Sequence, residues 1–125
     1  MNSAHGTTRE QFAHYIRTGY FPEPHPDFIA AAMERFMPEI DRAIEMCRRD
    51  QRMTLLREWE IPSVREARIA IVRQMQCNQK WARSKEEQIE FWTLCKDNDM
   101  AADIRRTQEP IAVFAAKLEE LRVAM

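Results

Sequence analysis

The chain has 125 residues, 45% of them apolar, and a formal charge of −1; this is globular composition in one domain of ordinary size over 1–125, with no global pull on nucleic acid or membrane. Its two glycines, Gly6 and Gly19, exclude the phosphate-cradling and dinucleotide-binding loops, which need several at fixed spacing, and leave few positive-φ positions for β-hairpins. Nowhere do eighteen apolar residues run together, so no membrane-spanning helix is expected.

Residues 1–6 are small and polar and read as a flexible tail ahead of a helix. Thr7 and Glu10 have the spacing of a capping box, and Phe12, Tyr15 and Ile16 give that helix one apolar face. Gly19 stands where a left-handed stop is wanted. Tyr20–Pro26 reads YFPEPHP, and its alternate prolines predict an extended connector. From Asp27 to Trp59, apolar residues at helical spacing (Phe36, Ile40, Ile44, Cys47, Leu55, Leu56) predict one long central helix kinked near Pro38, where a backbone donor is missing. Glu60-Ile61-Pro62-Ser63 ends it. Ser63 with Glu66 and Ser84 with Glu87 repeat the capping-box spacing, predicting one helix from Ser63 to Ala82 and another from Ser84 to Lys96. Asp97-Asn98-Asp99 is a turn or cap cluster, and Asp99 restarts a short helix to Arg106. Thr107 and Pro110 open the last helix, with Pro110 near its first turn. The expected fold is all-α, a compact bundle of five or six helices with antiparallel neighbours.

Charge is laid down in blocks. Residues 48–85 hold ten Lys/Arg against four Asp/Glu, a net of +6; residues 1–47 have a net of −3 and residues 86–125 a net of −4. On the Ser63–Ser84 helix, Val64, Ala67, Ile71 and Met75 share one side, with Ala70 and Trp81 at its margin. Arg65, Arg68, Arg73, Gln76, Lys80 and Arg83 gather on the other, interrupted only by Ile69. The preceding segment adds Arg48, Arg49, Arg52 and Arg57. One reading is a solvated face neutralised by the Glu86–Glu90 helix packed beside it. The functional reading is a docking face for an acidic or helical protein, with nucleic acid as the alternative partner. Leu55–Arg65 has the outline of a helix-turn-helix, but Glu60 stands where that turn wants glycine and the segment from Ile61 to Val64 is short for it.

Ile111, Phe114, Leu118, Leu121 and Met125 follow a 3, 4, 3, 4 spacing, an a/d seam flanked by Ala112, Ala115 and Ala116. Such a seam is buried along its length, either within one bundle or between the chains of a homodimer.

Named catalytic chemistry is not expected. His5, His14 and His25 lie in the first 25 residues, and neither H-E-x-x-H nor E-x-x-H occurs, so no metal or cofactor site is expected. Asp97, Asp99 and Asp103 start like a calcium loop but lack its glycine and terminal glutamate. Cys47, Cys77 and Cys95 share no C-x-x-C spacing and read as buried free thiols of a reducing compartment. Met1–Arg9 has no basic-then-apolar leader pattern. The sequence therefore points to a cytoplasmic, non-enzymatic interaction protein: an adaptor, regulator or inhibitor.

Overall fold

A computed structural model describes residues 7–19 and 26–125. Nearly all of them lie in five helices: α1 (Thr8–Thr18), α2 (Pro26–Arg48), α3 (Arg52–Glu58), α4 (Val64–Leu94) and α5 (Asn98–Ala124). No strand occurs among the described residues. The tail at 1–6 and most of the proline-rich connector lie outside them.

The long antiparallel pair α4–α5 forms the most extensive contact in the molecule. Helix α2 lies along α5, α1 bridges α2 and α4, and α3 touches both α2 and α4. One core cluster draws on all five helices. At its centre Phe12 packs on Phe36 and Trp59, with both ring pairs 5.5 Å apart. Tyr15 lies between Phe36 at 6.1 Å and Phe114 at 5.9 Å. Offset and edge-on aromatic pairs of this kind add to simple area burial. Ile111, Phe114, Leu118 and Leu121 are all buried here, so the C-terminal seam is covered within one chain.

The start of the chain folds as its capping residues suggest. The capping box of Thr7 and Glu10 is complete, and Gly19 ends α1 in the left-handed conformation at φ 73°. Ser63 accepts the Glu66 N–H at 3.1 Å and opens α4.

Three expected boundaries fall elsewhere. The central stretch is two helices, because α2 runs through Pro38 and stops at Arg48. The Ser84–Glu87 spacing starts no helix: α4 is one helix of 31 residues. With no proline or glycine between Ser63 and Asp97, the backbone N–H groups at a new cap already have partners one turn back. Likewise α5 is a single helix capped by Asp97, whose side chain accepts the Met100 N–H at 3.0 Å. Pro110 lies inside it.

The actual stops share one construction. After α2, the Gln51 N–H bonds Met46 O and the Asp50 N–H bonds Cys47 O. After α3, Ile61 bonds Leu56 O and Glu60 bonds Arg57 O; after α4, Asp97 bonds Trp92 O and Lys96 bonds Thr93 O. These are Schellman motifs, which place one residue in the left-handed region, usually glycine. Here the residues are Asp50, Glu60 and Lys96, with φ of 61°, 55° and 62°. The thiols also divide: Cys47 is buried, whereas Cys77 and Cys95 are exposed, correcting the expectation that all three are buried. Cys77 is exposed beside the inner-face residue Asn78 on α4, and Cys95 caps its end.

Helix α3 is held by a bidentate pair, with Arg42 Nη1 and Nη2 donating to Glu58 at 2.8 and 2.9 Å. These hydrogen bonds, more than the bare charge of Arg42, hold the Glu58 carboxyl below its usual range. Arg52 Nη2 donates to Ala124 O at 2.8 Å, tying α3 to the end of α5.

Two outcomes follow for stability. Left-handed geometry costs a side-chain-bearing residue about 1–2 kcal/mol, while glycine gives back about 0.5–1 kcal/mol through unfolded-state entropy. Lys96→Gly should therefore raise stability by about 0.5–1 kcal/mol in urea titrations. Arg42→Gln should lower it by about 0.5–1 kcal/mol at neutral pH. Because the folded pKa of Glu58 is depressed, that contribution is present above the ordinary value of 4.5 and is lost as acid carries the group through its folded pKa. The two proteins should converge in stability across that range; a constant gap would mean Arg42 acts by packing instead.

Candidate docking surface on the outer face of α4

Helix α4 presents its inner face to the bundle through Ala67, Ile71, Gln74 and Asn78, all essentially buried, with Val64, Ala70, Met75 and Trp81 half-buried beside them. This face is rotated toward Gln74 and Asn78 relative to the one read from apolar spacing alone. Opposite it, Arg65, Arg68, Arg73, Gln76, Lys80 and Arg83 are all exposed, as is Ile69. The six polar residues expected to form one face do so.

Ion pairing separates these cations from most of the others, although among the described residues Arg35, Arg57, Lys96 and Arg105 likewise have no carboxylate partner. Arg17, Arg42, Arg48, Arg49, Arg52, Lys117 and Arg122 all have carboxylate partners. Among the described residues, Arg65, Arg68, Arg73, Lys80 and Arg83 have none. The basic surface is thereby narrowed, since Arg48, Arg49 and Arg52 from the preceding segment are neutralised. Arg48 pairs with Glu120, Arg49 with Glu45 and Arg52 with Asp50. Lys85, the last cation of the block, is buried and engaged rather than displayed.

Because α4 is continuous, Glu86–Glu90 do not pack alongside the stripe as a separate helix, and of its cations only Arg83 has any of these carboxylates, Glu86 and Glu87, within one turn. Those carboxylates continue the same rod. At 1.5 Å per residue, Glu90 lies roughly 25 Å along the axis from Arg73.

A cleft of about 390 Å³ opens beside the basic stripe, where the end of α1 meets α4. Arg73, Gln76 and Lys80 line it from α4, and Thr18 and Gly19 from α1. A second hollow, also about 390 Å³, runs past Cys77, Lys80, Trp81 and Ser84. The cleft thus offers two unpaired cations, Arg73 and Lys80, with Arg17 already paired to Glu60, and the Gln76 carboxamide, with the Trp81 indole in the neighbouring hollow, a combination suited to a carboxylate-bearing chain with apolar side groups.

Behind the cleft is a buried polar seam. Gln74 Nε2 donates to Tyr15 O at 3.1 Å, and the Tyr15 hydroxyl donates to Asn78 Oδ1 at 3.2 Å. Burial pushes the Tyr15 phenol well above its ordinary range, so it stays protonated as donor. Gln74 Oε1 and Asn78 Nδ2 have no hydrogen-bond partner among the described residues. The seam pins α1 to α4 and sets the cleft wall. A polar pair four residues apart on an apolar helix face is legible in the sequence, but counting only apolar spacing passes over it.

Among the described residues no cluster of three or more His, Cys, Asp or Glu is placed to hold a metal ion, and no helix is long and apolar enough to cross a membrane. Compared with known proteins, the chain matches no family model, no curated protein and no solved structure.

The seam makes a sharp demand on Gly19. A Cβ there would come within 2.8 Å of Gln74 Nε2, at a backbone φ that already disfavours one. Gly19→Ala should cost at least about 1–2 kcal/mol by thermal or urea unfolding. An unchanged stability would show that the α1–α4 contact is looser than described.

Proposed function

We propose that this chain is a non-enzymatic helical interaction protein, an adaptor, regulator or inhibitor, that receives an acidic or helical macromolecular partner on the outer face of α4. The observation that carries this reading is the set of five exposed, unpaired cations on one helix, in a chain whose other cations are largely paired. An exposed positive stripe left unneutralised steers and orients an anionic partner.

Protein is favoured over nucleic acid by what borders the stripe. Glu86, Glu87 and Glu90 follow within two turns of Arg83 on α4, and Asp97, Asp99 and Asp103 lie around the following turn. A polyanion tracking along α4 would run into these carboxylates. A short acidic helix would fit between the ends of the basic stretch, which from Arg65 to Arg83 is about 27 Å long. The free thiols suit a reducing compartment, and we place the protein in the cytoplasm on that ground.

The test is a fluorescence-anisotropy titration with two probes, a labelled Glu-rich helical peptide and a labelled single-stranded oligonucleotide. Wild type should bind the peptide, with affinity falling gently as salt rises. Arg73→Glu with Lys80→Glu should abolish that binding and leave the melting temperature nearly unchanged, because exposed charges contribute little to stability. Unchanged affinity in the double variant would move the docking face off α4. Tight oligonucleotide binding that falls steeply with salt would establish nucleic acid as the partner instead.

A further inference from the structure

The outer ridge of α4 reads the same in both directions from Lys80. At spacings of 4, 3, 4, 4, 3 and 4 it carries Ile69, Arg73, Gln76, Lys80, Ser84, Glu87 and Phe91. Placed antiparallel on a second copy, with a two-fold axis at Lys80, every position but Lys80 itself meets a complementary one. Ile69 lies opposite the partner's Phe91, Arg73 opposite the partner's Glu87, and Gln76 opposite the partner's Ser84. An isologous interface requires this self-complementarity, because each residue meets its counterpart twice.

Three features of the chain argue for that occupant. First, Ile69 and Phe91 are exposed apolar residues at the two ends of the ridge, 38% and 57% accessible, and the pairing covers each with the other. Second, the unpaired cations lie between Arg65 and Arg83 on α4 and the carboxylates Glu86, Glu87 and Glu90 beyond them, so only an antiparallel copy sets opposite charges together. Third, the core cluster reaches only Ala82 on α4 and begins again at Ile111 on α5. Between them the α4–α5 hairpin buries only Lys85, Ala101 and Ile104. That thin two-helix arm gains a third helix when it lies on a partner's α4, at the level of the partner's folded core.

We infer that the chain self-associates as an antiparallel two-fold dimer through α4, with Arg73 paired to the partner's Glu87 and Lys80 on the axis. This rests on the reading of α4 as a docking face and names its occupant. The axis carries the one unfavourable contact, Lys80 against the partner's Lys80.

That contact gives a test in which self-association and capture of an acidic partner respond with opposite sign. Wild type is sedimented over a hundredfold concentration range and should pass from monomer to dimer. Arg73→Glu alone and Glu87→Arg alone should each weaken the dimer about tenfold or more, and the two together should restore it. Lys80→Gln should tighten the dimer while weakening the acidic peptide probe. Circular dichroism of each variant checks that the helices persist. A wild type that stays monomeric throughout overturns the inference, as does a double variant that fails to recover. If wild type is monomeric yet the peptide binds, the docking surface stands and only the second copy is refuted. If neither associates, both readings fall.

Discussion

The structure depends on α4 being one uninterrupted helix. Its 31 residues, Val64–Leu94, run between the Ser63 cap and the Schellman stop at Lys96. A continuous ladder of backbone hydrogen bonds fixes the angular position of every side chain on it. The inner face builds the core with α1 and α5. The same periodicity then forces the intervening residues outward, so the basic stripe follows from how the core is packed. Continuity also prevents the acidic end from folding back onto the basic end. Separation of charge along a rigid rod is what leaves the cations unpaired.

The second constraint is how sparingly the chain uses glycine. Helices must end, and tight reversals need a left-handed residue. With only Gly19 supplying one among the described residues, Asp50, Glu60 and Lys96 take that geometry at an energetic cost. Packing offsets it: Ile61, just past the second stop, is buried, as are Trp59 and Leu56 beside it. Polar groups are handled less completely. Gln74, at the wall of the cleft that the basic stripe borders, and Asn78 behind it satisfy the Tyr15 carbonyl and hydroxyl but leave one atom each without a partner among the described residues.

The all-α class was legible from the capping residues and the helical periodicity, and both the Thr7 cap and the Gly19 stop form as read. Boundaries were less legible where a local signal lacked context. Ser84 and Glu87 have the spacing of a cap, but a cap forms only where the backbone N–H groups are free, and on an established helix they are not. The stop at Asp50 was hidden, because no proline or glycine marks it; the breaks at Glu60 and Lys96 were read from Pro62 and the Asp97–Asp99 cluster, but not their left-handed geometry. The basic face was legible residue by residue, since 100° periodicity places Arg65 through Arg83 whether or not the helix continues. Which cations stay unpaired was not, because Arg48 finds Glu120 across seventy-two positions of chain and Arg42 finds Glu58 on another helix. The outer ridge centred on Lys80 was hidden for the same reason as Ser84: it exists only if α4 runs unbroken through that serine.

The central claim is therefore geometric, and a distance tests it. Spin labels on cysteines introduced at Arg68 and Glu90, in a chain whose exposed Cys77 and Cys95 are replaced by serine and which is diluted with unlabelled protein, report the span by double electron–electron resonance. A continuous α4 sets the two backbone positions about 33 Å apart at 1.5 Å per residue, with a single narrow distribution. A distribution centred below about 20 Å would mean that the helix breaks near Ser84 and the acidic segment packs beside the basic one, and the surface described here would then be neutralised within its own chain.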